Sequence, residues 1–128
     1  MYLWHGTRTT EPSKIYRGEE GFDVIFSSEG MWGQGLYFAK NASYSHLYAH
    51  KHANGDRGMF LALVNIGSIA DVEYDEKITR SFRSPPDGKD SVRGKAEYRA
   101  NKEMTSSEIF VVYANKKAYP MYYVTYKD

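Results

Sequence analysis

The residues best suited to chemistry in this chain lie in four short segments. These are residues 4–7, the glycine-dense residues 30–35 with the apolar residues 36–39 after them, residues 45–48, and residues 108–113. Their aromatic side chains offer flat faces, and glycine lets the main chain approach a planar ligand closely. The chain has 12 tyrosines, which carry most of its 16% aromatic content. Together these residue types favour a pocket that stacks and orients a ring.

The glycine-dense segment, Gly30-Met31-Trp32-Gly33-Gln34-Gly35, is a weak signal by itself. In the dinucleotide-binding βαβ crossover, such a loop opens a helix whose N-terminus meets the phosphates. Here the next residues are Leu36-Tyr37-Phe38-Ala39, a β-favouring run that predicts a strand. The context therefore excludes a Rossmann-type site.

The order of the four segments resembles the catalytic domain of the poly(ADP-ribose) polymerase family. That domain carries a His-Gly-Thr strand end, a Gly-x-Tyr-Phe-Ala strand, a Ser-x-x-Tyr helix and a late strand with the third catalytic position. The matching segments are His5-Gly6-Thr7, Gly35-Leu36-Tyr37-Phe38-Ala39, Ser45-His46-Leu47-Tyr48 and residues 108–113. The resemblance covers nearly the whole chain, with Asp90-Ser91-Val92 and Ala118-Tyr119-Pro120 as further landmarks, and is strongest to the mono-ADP-ribosylating branch.

The resemblance implies an ADP-ribosyltransferase fold of the α+β class, with two packed, mainly antiparallel β-sheets, a few short helices and a cleft for NAD as co-substrate. In that cleft the backbone of Gly6 and the hydroxyl of Ser45 would bind the nicotinamide carboxamide. Tyr48 would stack on the nicotinamide ring, and Tyr37 would wall its other side. The implied NAD-binding residues are His5, Gly6, Thr7, Tyr37, Phe38, Ala39, Ser45 and Tyr48, with no metal.

The three catalytic positions implied by the resemblance are His5, Tyr37 and Ile109. His5 would hydrogen-bond the adenosine ribose. Polymerising members carry glutamate where ungapped alignment of the last two strands puts Ile109, and isoleucine can neither accept a hydrogen bond nor take a proton. We therefore expect transfer of one ADP-ribose unit. Glu108 is adjacent but faces the other side of a regular strand, so only a one-residue bulge would bring it to the site.

The coarse secondary structure supports an α+β domain built on antiparallel sheet. Strands are expected over residues 2–5, 36–39, 59–72 with a bend at Gly67, 108–113 and 119–126. Helices are expected over residues 11–18 and over residues 42–50, the second capped by Asn41. Residues 114–117 are expected to join the last two strands as a hairpin turn, and Pro120 should lie at a sheet edge.

Composition sets broader limits on the chain. Its 128 residues fit a single domain spanning residues 1–128, and a net charge of +1 gives no field for binding nucleic acid nonspecifically. The absence of cysteine excludes disulfides and thiolate chemistry. No apolar run is long enough to span a membrane and no signal peptide is recognised, so a cytoplasmic or nuclear monomer is expected. His46, His50 and His52 could suggest a metal, but a solvated helix face is favoured.

Two other functions remain open from the residues alone. The chain could be a catalytically inactive module that binds NAD or ADP-ribose, or a structural β domain whose tyrosines only fill the core. The family domain normally has a further strand and helix before the His-Gly-Thr strand, so the chain is either a minimal form or a piece of a longer protein. The acceptor is expected to be a protein, through glutamate, aspartate, serine or arginine, with a nucleic-acid end as the alternative.

Overall fold

The computed structural model describes residues 1–128, and β-strands form its framework. The strands are β1 Tyr2–His5, β2 Glu29–Gly30, β3 Gly33–Gln34, β4 Leu36–Ala39, β5 His50–Lys51, β6 Arg57–Val64, β7 Ile69–Asp71, β8 Ser91–Ala100, β9 Glu103–Val112 and β10 Ala118–Tyr126. The helices are α1 Ser13–Tyr16, α2 Ala42–Ser45 and the 3₁₀ turns Val24–Phe26, His46–Tyr48 and Thr79–Ser81. None of them is long and apolar enough to cross a membrane.

Eight strands are hydrogen-bonded into one sheet, in the order β10-β6-β1-β4-β9-β8-β7 with β5 beside β6. Every pairing in it is antiparallel except that of β7 with β8. A second sheet contains only β2 and β3. The predicted α+β class is confirmed, and the two mainly antiparallel sheets differ greatly in size.

The large sheet is buried on both faces around β9. Phe110 and Val112 belong to a core of 11 buried residues on one face, whereas Ile109 and Val111 belong to a core of six on the other. A strand covered on both sides needs apolar residues at successive positions. This explains the uninterrupted run from Ile109 to Val112.

The predicted hairpin between the last two strands is wrong. β10 pairs with β6, next to β1, while β9 lies between β4 and β8. The turn residues instead bind a distant loop, since the Asn115 side chain accepts a hydrogen bond of 2.9 Å from the Val24 N–H. Turn composition indicates a change of direction but does not identify the strand that the chain then joins. Pro120 does lie on an edge strand, within a register shift between Tyr119 and Tyr122.

Two further expectations are corrected by loop geometry. The expected strand over residues 59–72 is divided into β6 and β7 at Gly67, whose φ of 60° is left-handed. The expected helix over residues 42–50 is shorter, because the 3₁₀ turn ends at Tyr48 and His50 begins β5. Asn41 precedes that helix but makes no side-chain cap; its amide donates instead to the carbonyl of Ser106, at 3.1 Å.

Strand β8 was not expected from the sequence. Its residues alternate between buried and less buried positions, but charged side chains interrupt it, as in Arg93, Lys95 and Glu97. β8 pairs with β9 over nine successive positions, and this pairing extends β9 back to Glu103. A long partner strand supplies the hydrogen bonds that local composition alone does not predict.

Candidate active site

A cleft of about 350 Å³ opens where the ends of β1 and β4 meet α2 and the loop before β4. All the residues predicted for the site line this one cleft. They are His5, Gly6, Thr7, Tyr37, Phe38, Ala39, Ser45, Tyr48 and Ile109. Residues up to 104 positions apart are thus brought together by the pairing of β1 with β4 and of β4 with β9.

Gly6 leaves both of its main-chain polar groups available. No hydrogen bond within the protein involves its N–H or its C=O. A Cβ atom at this position would overlap the Tyr48 carbonyl and would lie 2.7 Å from the carbonyl oxygen of Ser45. Glycine is therefore required because the backbone after α2 crosses β1 at close range, a reason different from the close ligand approach expected from the sequence.

Ser45 supplies a third available polar group. Its side chain is 3% exposed, and its hydroxyl has no hydrogen-bond partner in the protein. Ser45 ends α2 and Tyr48 ends the 3₁₀ turn that follows, so both side chains reach the same cleft. A donor, an acceptor and a hydroxyl consequently converge on one cleft.

Tyr37 holds the glycine-dense loop as well as lining the cleft. Its hydroxyl donates to the Gly33 carbonyl at 2.7 Å and accepts from the Trp32 N–H at 2.8 Å. Burial raises the pKa of Tyr37 to about 12, so the phenol is neutral at physiological pH. A Cβ atom on Gly30 would lie 2.7 Å from that hydroxyl, which explains why glycine occupies this position of the loop. Sequence reasoning missed this role.

Tyr48 is surrounded by two residues that sequence reasoning did not assign to the site. Its hydroxyl lies 3.3 Å from the Tyr44 hydroxyl, and the two ring centroids are 5.4 Å apart. The guanidinium of Arg8 lies over one face of the Tyr48 ring, 4.4 Å from its centroid. Burial raises the pKa of Tyr44, so it remains neutral. The four-residue spacing of Tyr44 and Tyr48 was the sequence signal that could have paired them.

His5 is fixed between aromatic rings at the floor of the cleft. Its Nδ1 lies 2.6 Å from the carbonyl oxygen of Tyr37, and its ring centroid is 5.1 Å from those of Phe22 and Phe38. Burial lowers the pKa of His5 below its usual 6.5, so the ring is neutral at pH 7. Because a carbonyl can only accept, Nδ1 carries the proton and Nε2 is left as an acceptor.

The family model described as the poly(ADP-ribose) polymerase catalytic domain matches residues 1–108. The chain belongs to this family. It is 35% identical over 128 residues to a probable poly [ADP-ribose] polymerase of Dictyostelium discoideum, an alignment that covers 98% of this chain and 33% of the relative.

Two further relatives of this poly(ADP-ribose) polymerase family chain are named as mono-ADP-ribosyltransferases. The mouse protein mono-ADP-ribosyltransferase PARP12 is 29% identical over 124 residues, covering 97% of this chain and 16% of the relative. The chicken protein mono-ADP-ribosyltransferase PARP3 is 33% identical over 91 residues, covering 71% of this chain and 16% of the relative. The chain thus spans a third or less of the length of these relatives.

Ile109, which the sequence resemblance implies to be the third catalytic position, is fully buried. Ile109 pairs in register with Ala39 on β4 and with Gly94 on β8. No register shift interrupts either pairing, so the bulge that would exchange Ile109 and Glu108 does not occur. Glu108 lies outside the cleft, and its carboxylate is 3.8 Å from the Lys40 ammonium.

Proposed function

We propose that this chain binds NAD in the cleft, cleaves the bond between nicotinamide and ribose, and transfers one ADP-ribose unit to a protein acceptor. The observation that carries this proposal is the convergence of three unpaired groups: the Gly6 N–H, the Gly6 carbonyl and the Ser45 hydroxyl. A primary carboxamide offers both a donor and an acceptor, so it complements this set. The nicotinamide end of NAD carries such a carboxamide.

The rest of the cleft fits the remainder of that ligand. Tyr48 and Tyr37 present aromatic rings beside the three polar groups, which suits a flat pyridine ring. His5, with Nε2 as an acceptor, suits a ribose hydroxyl. One face of Tyr48 is covered by Arg8, so a stacked pyridine requires the opposite face of that ring.

The reaction requires binding and orientation more than proton transfer. Nicotinamide leaves with the electron pair of its bond to the ribose carbon, positive charge develops on the sugar, and a carboxylate oxygen of the acceptor forms the new bond to that carbon. A cleft that orients the ribose and excludes water lowers the barrier to this step. An ionised carboxylate acceptor attacks without a protein base, which suits the apolar side chain at Ile109.

A second candidate function is recognition of NAD or ADP-ribose without transfer. The observation that favours it is the state of the two carboxylates that line the cleft. Asp23 accepts hydrogen bonds from the Ile25 N–H and from Asn115, each at 3.0 Å, and Glu29 lies within 3.5 Å of Arg80 and Arg83. Neither carboxylate is free to replace the glutamate of polymerising members.

Incubation with NAD labelled in its adenylate half tests both candidates. Nicotinamide release, adduct length and modified residue are scored together, with Ser45→Ala as the site variant and Ser81→Ala, outside the cleft, as the matched control. Short adducts made by the wild type and the control support single transfer, whereas ladders contradict it. Saturable NAD binding with neither release nor transfer supports the recognition module, and absence of NAD binding contradicts both functions.

A further inference from the structure

We propose that Arg8 forms a diphosphate subsite in the cleft, so that it contacts the two linked phosphates of NAD and of ADP-ribose. The inference rests on the proposed function, because it assigns one more part of the same ligand. No motif of the sequence indicated it. It depends on the charges of the cleft, on the backbone of Arg8 and on the stacking of its side chain.

Four charged residues line the cleft, and the side chains of three of them already make a hydrogen bond or an ion pair. The Asp23 carboxylate accepts a hydrogen bond of 3.0 Å from the Asn115 amide. Glu29 and Arg80 form an ion pair of 3.5 Å. The Arg8 guanidinium makes no hydrogen bond and no ion pair within the protein. Arg8 is therefore the one cation lining the cleft that makes no hydrogen bond or ion pair in the protein, and NAD would bring negative charge to it.

Hydrogen bonds fix the backbone of Arg8, whereas its guanidinium makes none within the protein. Its φ of 52° is left-handed, which is unusual for a residue with a side chain. Its N–H donates to the Tyr48 carbonyl at 2.7 Å, and its carbonyl accepts from His50 Nδ1 at 2.7 Å. The turn is closed by the Thr10 N–H, which donates to the Thr7 carbonyl at 3.0 Å. The fold thus fixes the backbone position from which the Arg8 side chain extends.

The stacking of the guanidinium leaves its donors usable. Its carbon lies 4.4 Å from the centroid of the Tyr48 ring, so the ring covers one face of the group. The N–H groups of a guanidinium lie in its plane, in a fork that matches two phosphate oxygens. A stacked guanidinium can therefore bind phosphate through its edge without losing its contact with the tyrosine.

The place of Arg8 along the cleft suits the middle of the ligand. The proposed nicotinamide end lies at Gly6, Ser45 and Tyr48, and the proposed adenosine ribose lies at His5. In NAD the diphosphate joins the two riboses, so it must cross the space between these ends. Arg8 contacts Tyr48 and follows His5 by three residues, which puts its cation beside that path.

Calorimetric titration of the variant Arg8→Asn with two ligands tests the subsite. Asparagine adopts the left-handed backbone readily, so the turn can be kept while the charge is removed. Nicotinamide has no phosphate and ADP-ribose has two. We expect affinity for ADP-ribose to fall by about tenfold or more, as loss of a charged hydrogen-bond donor implies, while nicotinamide affinity changes less than about twofold. ADP-ribose binding to the variant should also depend less on salt.

Arg17→Asn is the matched control, because the Arg17 guanidinium also lies over a tyrosine ring, that of Tyr16 at 5.7 Å, but outside the cleft. Equal loss of both ligands in Arg8→Asn would overturn the inference and show that Arg8 only supports Tyr48. Unchanged ADP-ribose affinity, or a gain in nicotinamide affinity, would also overturn it. If the wild type binds neither ligand, the proposed function fails first, so the two failures are distinguishable.

Discussion

Nδ1 of His5 donates a hydrogen bond of 2.6 Å to the main-chain carbonyl of Tyr37. One contact thus joins two of the positions that the sequence resemblance implies to be catalytic, and it does so through the backbone of one of them. The bond fixes the imidazole tautomer, since the carbonyl cannot donate. It also leaves the Tyr37 phenol free to hold the Gly33 carbonyl, at 2.7 Å.

The buried imidazole of His5 should make stability depend on pH. Burial lowers its pKa in the folded chain below the usual 6.5, so below pH 6.5 the unfolded chain binds the additional proton first. The free energy of unfolding contributed by neutral His5 is present above pH 6.5 and is lost as the pH falls through and below that value. Melting temperatures of the wild type and of His5→Asn between pH 8 and pH 5 check this, and asparagine retains a donor for the Tyr37 carbonyl.

The comparison of His5→Asn with the wild type isolates one of the four histidines of the chain, because the other three are present in both proteins. On acidification, the melting temperature of the wild type should decrease more than that of His5→Asn. Parallel curves would show that His5 does not titrate differently in the folded and unfolded states. Protonation of His5 would also remove the Nε2 acceptor, so the affinity of the wild type for NAD should decrease as the pH is lowered.

Replacing Gly6 should damage the fold as well as ligand binding. A side chain there meets the carbonyls of Tyr48 and Ser45, so Gly6→Val should lower the free energy of unfolding by roughly 3 kcal/mol. Urea denaturation measures this loss. Gly88→Asn is a suitable control, because nothing lies within 4 Å of a Cβ atom there and asparagine tolerates its φ of 78°. A Gly6→Val protein as stable as the wild type would contradict the close approach of the Tyr48 and Ser45 carbonyls to Gly6.

Removal of the hydroxyl should reduce ligand affinity at Ser45 and stability at Ser107. Ser45→Ala breaks no hydrogen bond, so its stability should change by less than about 0.5 kcal/mol while nicotinamide affinity falls about tenfold. Ser107→Ala removes the acceptor that the Asn41 N–H reaches at 3.1 Å, so it should cost about 1–2 kcal/mol of stability. Thermal melts and nicotinamide titration of both variants separate the two effects. Loss of stability in Ser45→Ala with unchanged affinity would remove that hydroxyl from the proposed site.

Introducing glutamate at Ile109 should not produce polymer. Ile109 is fully buried against Ala39 and Val111, so an unpaired carboxylate there should cost at least about 3 kcal/mol of stability. Ile109→Val is the control for packing alone and should cost about 1 kcal/mol. Chemical denaturation and gel analysis of labelled adducts measure both properties. Long adducts from Ile109→Glu would show that the carboxylate alone decides chain elongation.

The parts of the fold that were predictable depend on neighbours in sequence. β1 and β4 have the bounds expected from their short apolar runs, and the helical turn after Asn41 was recognised from local propensity. Nine of the residues that line the cleft were also predicted, from the order of the motifs, whereas Arg8 and Tyr44 were not. Residue type and spacing determine local conformation, so these features can be read without knowing what packs against them.

Other features depend on contacts between distant segments. Local periodicity does not specify which edge a final strand joins, so the pairing of β10 with β6 could not be read from residues 114–117. The same holds for the clamp between Asn115 and Val24, which joins residues 91 positions apart.

Nine residues that line the cleft were therefore predicted from residue type and motif order, which are local properties of the chain. Contacts between distant segments determine which polar groups of these residues are left for a ligand. The tertiary structure tied the Tyr37 hydroxyl to the glycine-dense loop, left the polar groups of Gly6 and Ser45 unpaired, and placed the unpaired guanidinium of Arg8 over Tyr48. A polar group is available to a ligand only if no contact within the folded protein already uses it.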